Sequence, residues 1–318
     1  MRIYVRAMTT AMIACALLGS EVRPVLAATA VAGNQSWFKK KKSAEKNETP
    51  KTDYQKIVEG SQTTQGMFAV HKKKNDYYFE VPTSLLGRDM LVVNKLQRVP
   101  AELNEAGVNR GVNYENQMVR MEWNKAGGKL MFRQQRPLPL APEGDAIHRS
   151  VEDNFISPLI AAFKIEAVNA DSTALVIKVN DIYDGTETSI NNVFTNINLG
   201  TSAIKNLSRI CSIKSFPNNV VATSELTTRV TEGTTTIYVT VEVSSSLMLL
   251  PETPMMGRFD SPKVGYFTNP LLTFSDAQQQ TGKTQYITRW RMEPKPEDRE
   301  AYLKGKLVEP AKPIVFYI

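Results

Sequence analysis

From Thr234 to Val243 the chain alternates without a break. Ile237, Val239, Val241 and Val243 fall on one side of a period-two repeat, and Tyr238, Thr240 and Glu242 fall on the other. β-Branched residues at that spacing suit a pleated strand with one covered face. Val220 to Val230 run back across the turn Thr231-Glu232-Gly233, so the pair reads as a hairpin.

The same grammar recurs along the chain. Gly66 to Val70 and Asp76 to Val81 are strand-like, joined through Lys72-Lys73-Lys74-Asn75. Met90 to Val99 follows a turn at Leu85 to Asp89. Tyr114 to Trp123 pairs naturally with Lys129 to Arg133, and Ile160 to Val168 with Ala174 to Asp181. Val264 to Phe267 and Gln285 to Met292 complete the set. Asp145 to Phe155 is the clearest helical stretch, with Asp145 as its expected cap. No apolar period of helical type exceeds about a dozen residues, and no repeat of 20–50 residues is present. The expected class is mainly β, with two antiparallel lobes of short strands and hairpins and few short helices. Arg136-Pro137-Leu138-Pro139-Leu140-Ala141-Pro142 is the expected break, giving a small domain over 53–136 and a larger one over 137–309.

Two segments precede these domains. Residues 1–30 have the layout of a secretory signal: Arg2 and Arg6, an apolar stretch from Ala7 to Gly19, then small residues at Ala27, Ala28 and Ala30. The apolar run is shorter than the roughly 20 residues that span a bilayer, and no later run reaches that length, so no transmembrane segment is expected. Residues 31–52, with four successive lysines from Lys39 to Lys42, read as a disordered basic tail. The expected location is outside the cytoplasm: periplasmic, outer-membrane-associated or extracellular.

The formal net charge of +7 belongs to this front part. Residues 1–46 hold eight Lys/Arg against two Asp/Glu, and the remainder holds 31 against 30. A nucleic-acid binder concentrates basic residues on its folded part, so no nucleic-acid partner is expected.

The usual catalytic constellations do not assemble. A catalytic zinc site takes three protein ligands, commonly with a helical H-E-x-x-H pair; the two histidines, His71 and His148, are far apart and read as solvated surface residues. No G-x-S-x-G elbow and no phosphate-binding glycine loop is present. Asp76 and Glu80 fall on one strand face and read as solvated. Asn180-Asp181-Ile182-Tyr183-Asp184-Gly185-Thr186-Glu187 gathers oxygen-bearing side chains of the kind calcium binds. Its spacing is not that of an EF-hand, and Asp184-Gly185 is a common turn pair. Cys15 lies in the leader. Cys211, in Arg209-Ile210-Cys211-Ser212-Ile213, reads as a small core residue. No catalytic, cofactor-binding or metal-binding residue is assigned in this chain.

Four stretches carry a resemblance. They are Lys74 to Pro82 with Leu85 to Val93, Val179 to Glu187, Ile213 to Val220, and Thr288-Arg289-Trp290-Arg291 with Pro296 to Arg299 and Lys312 to Ile318. Together they resemble the N-terminal, pre-catalytic region of a family of exported zinc-dependent metalloproteases of Bacteroidetes-type bacteria, a region of two adjacent domains of unknown function. The resemblance covers about residues 50–318. It implies a non-catalytic accessory or pro-region, with zinc held only by a downstream domain, and with residues 310–318 opening that domain. The implied partners are the downstream metalloprotease domain and a peptide substrate. The alternative is a free-standing periplasmic or cell-surface module for peptide or glycan.

Overall fold

In the computed structural model of the chain, the residues described are 51–135, 139–199, 202–232 and 234–315. The expected signal, nearly all of the basic tail, part of the proline segment and the last three residues lie outside them.

The elements in chain order are α1 (Asp53–Val58), β1 (Gln62–Thr64), β2 (Ala69–Lys73), β3 (Asp76–Pro82), β4 (Met90–Arg98), α2 (Ala101–Glu105), β5 (Asn113–Asn124), β6 (Lys129–Gln135), α3 (Ile147–Asn154), β7 (Leu159–Val168), β8 (Ala174–Lys178), α4 (Val193–Asn196), β9 (Arg209–Phe216), β10 (Asn219–Glu232), β11 (Thr235–Leu249), β12 (Thr268–Thr273), β13 (Gly282–Ile287) and α5 (Arg299–Leu303). Eleven strands form one antiparallel sheet, in the order β1-β2-β3-β8-β7-β6-β5-β4-β11-β10-β9. The mainly β, antiparallel character expected from the sequence holds. Strands on the two sides of the proline segment share this ladder, because β3 pairs with β8, β6 with β7 and β4 with β11.

The sheet curls until its ends nearly meet. The Met67 N–H donates to Phe216 O at 2.7 Å, and the Phe68 N–H donates to Ser215 Oγ at 3.4 Å. Gly66 makes this approach possible, since a Cβ there would stand 2.4 Å from Ser215 Oγ. The nearly closed barrel has a core of alternating inward residues, including Phe68, Phe79, Val81, Met90, Phe132 and Ile177.

A second apolar cluster, around Leu96, Phe194, Leu226, Val241 and Val243, lies further along the long strands. Between the two clusters each of three strands places one buried polar side chain on its inward face. On β4 Asn94 falls between Val92 and Leu96, on β10 Ser224 between Ala222 and Leu226, and on β11 Ser245 between Val243 and Leu247. Asn94 and Ser224 of this belt hold the segment 180–199 against the sheet. Asn94 Nδ2 donates to Ile190 O at 2.7 Å, Ser224 Oγ donates to Tyr183 O at 2.8 Å, and buried Asn191 donates to Tyr183 O at 3.1 Å while accepting from the Gly185 N–H at 3.0 Å. Buried polar groups that find partners fix one register where an all-apolar interface tolerates several.

The strand pair β12–β13 forms its own small sheet. It is tied to residues 139–155 by two devices. Leu140 pairs with the end of β12. The Asp276 carboxylate accepts the Ala146 and Ile147 N–H groups at 2.6 and 3.1 Å, at the start of α3. Asp145, the expected cap, instead accepts the Asp276 N–H at 2.9 Å. A residue 130 positions away supplies the cap, which local sequence could not disclose. Val264 to Phe267, expected as a strand, precedes β12 as irregular chain. Ile314 and Val315 are exposed.

Candidate functional site

Three places gather chemistry-bearing side chains. The first lies on the outer face of β1–β3, under α1. His71 is 2% exposed. Its Nδ1 is 2.8 Å from Thr63 Oγ1 and its Nε2 is 2.9 Å from Glu80 Oε2, while Tyr54 of α1 donates to the same carboxylate at 3.1 Å. With Glu80 ionised, Nε2 carries the proton and Nδ1 accepts from the threonine. The reading of His71 and Glu80 as solvated is therefore corrected. The lysines beside His71 suggested water, but α1 folds back over this face and covers it. Burial first, then the Glu80 charge, raises the pKa of Tyr54. A hydroxyl, an imidazole and a carboxylate in line resemble the order of a nucleophile, base and orienting acid. Thr63 nevertheless sits within a strand, in register with His71. The arrangement serves as a polar staple joining three strands and a helix. His148 is half-buried, with Nδ1 3.0 Å from Ala141 O and Nε2 3.4 Å from Glu152. The other carboxylate of the strand pair, Asp76, faces Lys178 at 2.8 Å.

The second place is a cleft of about 380 Å³ containing Lys72, Tyr77, Asn180, Asp181, Lys205 and Arg209. It includes the segment whose oxygens suggested calcium. Lys205 Nζ lies 2.7 Å from Asp181 and 3.6 Å from Asp184, so an ammonium occupies the position a cation would take. The hydrogen bond to Asp181, foremost, raises the pKa of Lys205. Arg209 pairs with Glu225, and Asn180 donates to Asn75 O and accepts from the Tyr77 N–H. The polar groups here are largely spent on one another. Among the described residues no cluster of three or more His, Cys, Asp or Glu side chains could hold a metal ion.

The third place is the mouth of the barrel, where β5–β7 face the segment 187–196. The cleft has a volume of about 360 Å³. Gln117 continues the inward row of Val119 and Met121 on β5, and Gln134 continues that of Leu130 and Phe132 on β6. Their amides meet at 3.3 Å, Nε2 of Gln134 donating to Oε1 of Gln117. Ile160 forms an apolar wall, and Thr188, Asn192 and Thr195 close the opposite side. Glu187 is the one charged side chain of the lining. This site gave no motif signal. Two glutamines that extend an apolar row look like a strand running out into solvent until the other wall is in place.

Cys211 is exposed, which corrects its reading as a core residue. The β9–β10 register slips between Thr223 and Ser224, where Ser212 and Ile210 are the successive partners. Cys211 is the extra residue of this bulge, and the alternation that placed it inside breaks there.

Among the described residues no helix is long and apolar enough to cross a membrane. No curated protein and no solved structure matches the chain. The domain of unknown function DUF5118 matches residues 51–99, from α1 through β4. The domain of unknown function DUF5117 matches residues 111–295, more than half of the sequence, and the chain belongs to that family.

Proposed function

We propose that this chain is a non-catalytic accessory module of an exported zinc-dependent metalloprotease, and that residues 250–315 form the arm on which the catalytic domain docks. The resemblance of its motifs to the pre-catalytic region of such proteases motivates the reading. One structural observation carries it. Among the described residues, 13 of the 23 large hydrophobic side chains that are exposed fall between Met256 and Val315, whereas the arm supplies a single residue, Ile287, to the buried core. Phe267 is 91% exposed, Met256 82% and Trp290 69%. A two-stranded sheet is marginal on its own, and a concentrated apolar surface marks an interface. Leu140, Phe155 and Ile156, beside the arm's anchor at α3, are exposed as well.

The test is the reading frame beyond Ile318. A continuing frame that encodes an H-E-x-x-H domain is expected. With that domain attached, amide exchange of residues 256–292 slows relative to the chain alone. A stop codon after Ile318, or unchanged exchange in the longer protein, would refute the assignment.

A further inference from the structure

We infer that the barrel mouth beside Gln117 is a binding site for an uncharged, polyhydroxylated ligand, a neutral saccharide. The inference does not depend on what docks on the arm, because it rests on β5–β7 and the segment 187–196.

Three observations carry it. The first is which polar groups are free. Among the described residues, Gln117 Nε2, Asn192 Nδ2, Thr188 Oγ1 and Thr195 Oγ1 have no hydrogen-bond partner, although Gln117 accepts through its oxygen from Gln134 and Asn192 accepts through its oxygen from the Thr195 N–H. Each amide is held by its oxygen and presents its NH₂ group. The lysine-lined cleft differs, since its charges neutralise one another.

The second observation is the kind of group. Two amide donors and two hydroxyls, which donate and accept, match the alternating donors and acceptors of a sugar ring. Glu187 alone brings a charge, and it is exposed. A phosphate or a carboxylate would enter without a counter-ion, beside the like charge of Glu187, and lose its hydration. A neutral hydroxyl gives up a water and regains an equivalent bond.

The third observation is location. Barrel mouths are common places for ligands, because one rigid wall comes from the strands and an adaptable one from a connecting segment. Here the backbone of the adaptable wall is pinned from behind, because Asn94 donates to Ile190 O and Asn191, within the segment, donates to Tyr183 O. The apolar part of the lining is Ile160 with the largely buried Ile190, and the lining has no aromatic ring. Affinity then rests on a few hydrogen bonds, and a dissociation constant of about 1 mM is expected.

The experiment titrates the chain with maltose, cellobiose and N,N′-diacetylchitobiose, with digalacturonate as the anionic counterpart. Saturation-transfer NMR and chemical-shift changes provide the readout. At least one neutral disaccharide is expected to saturate at millimolar concentration. Gln117→Leu and Asn192→Leu are expected to weaken it by about 3–10-fold each, while Lys205→Gln, in the other cleft, leaves it unchanged. If the inward Gln117 variant does not fold, Thr188→Ala on the exposed segment tests the same contact. The inference is overturned if no neutral disaccharide saturates, if digalacturonate alone binds, or if Gln117→Leu and Thr188→Ala both bind as the parent does.

Discussion

Glu80 Oε2 is 2.9 Å from His71 Nε2 on the neighbouring strand, and the pair lies beneath Tyr54 on the outside of the barrel. A side chain of the first helix thus completes a polar chain that starts at Thr63 on the edge strand.

Removing the imidazole tests that chain. His71→Ala leaves the Glu80 carboxylate and the Thr63 hydroxyl without their shared partner, and a destabilisation of about 1–3 kcal/mol is expected. A solvated histidine would change stability by less than about 0.5 kcal/mol. Urea denaturation separates the two. His71→Gln, which can still bridge the two groups, should recover part of the loss.

Gly185 offers a sharper test of the segment that the belt holds. Its φ is +71°, and a Cβ there would stand 2.7 Å from Leu226 Cδ1 and 2.9 Å from Ala203 Cβ. Gly185→Ala combines backbone strain with overpacking and should destabilise by about 2–5 kcal/mol. Gly128 also has a positive φ, +58°, but open space where its Cβ would go. Gly128→Ala therefore carries strain alone, about 1 kcal/mol. Equal effects at the two positions would show that segment 180–199 is not packed as described.

Hairpins such as Val220 to Val243 were legible in the sequence because their alternation is local and their inward residues are β-branched. The Asp184-Gly185 turn was legible for the same reason. The staple, the cap and the barrel mouth were not. Glu80 takes a hydrogen bond from Tyr54, α3 is capped by Asp276, and Gln117 shares its cleft with Asn192, each from a distant part of the chain. A hydroxyl or amide carries no sign of its partner until the fold supplies one. Cys211 shows the complementary failure: period two was extrapolated through a bulge that only the pairing of β9 with β10 reveals.

Tyr183 links burial to pH. Its ring is fully buried, and its hydroxyl has no hydrogen-bond partner among the described residues. Burial raises its pKa, and Tyr54 is shifted the same way, by burial and then by Glu80. A raised folded pKa means stability that is complete below the unfolded value, about 10 for a phenol, and that is lost as pH rises from there toward the folded value. Stability is expected to fall above about pH 10. Tyr183→Phe removes an unsatisfied buried hydroxyl, so it should be neutral or stabilising by about 1 kcal/mol at neutral pH, and it should flatten the alkaline loss. Urea midpoints at neutral and alkaline pH check both, and a clear destabilisation at neutral pH would mean that the hydroxyl has a partner.

Asp276 decides whether the arm moves as one piece with α3. Its carboxylate accepts two backbone N–H groups at the helix start, and its own N–H donates to Asp145. Capping of this kind is worth about 0.5–2 kcal/mol, but the barrel core lies elsewhere, in β2–β11. Asp276→Ala should therefore leave the main unfolding transition in place. Its effect should appear as faster amide exchange in α3 and β12–β13, and as earlier proteolytic cleavage between residues 256 and 292. Asp276→Asn keeps one acceptor oxygen and should be intermediate. If Asp276→Ala instead lowered the global transition by the full capping value, the arm and the barrel would unfold as one unit. The arm's exposed aromatics would then belong to the stability of the barrel, and not to a surface free to receive a partner.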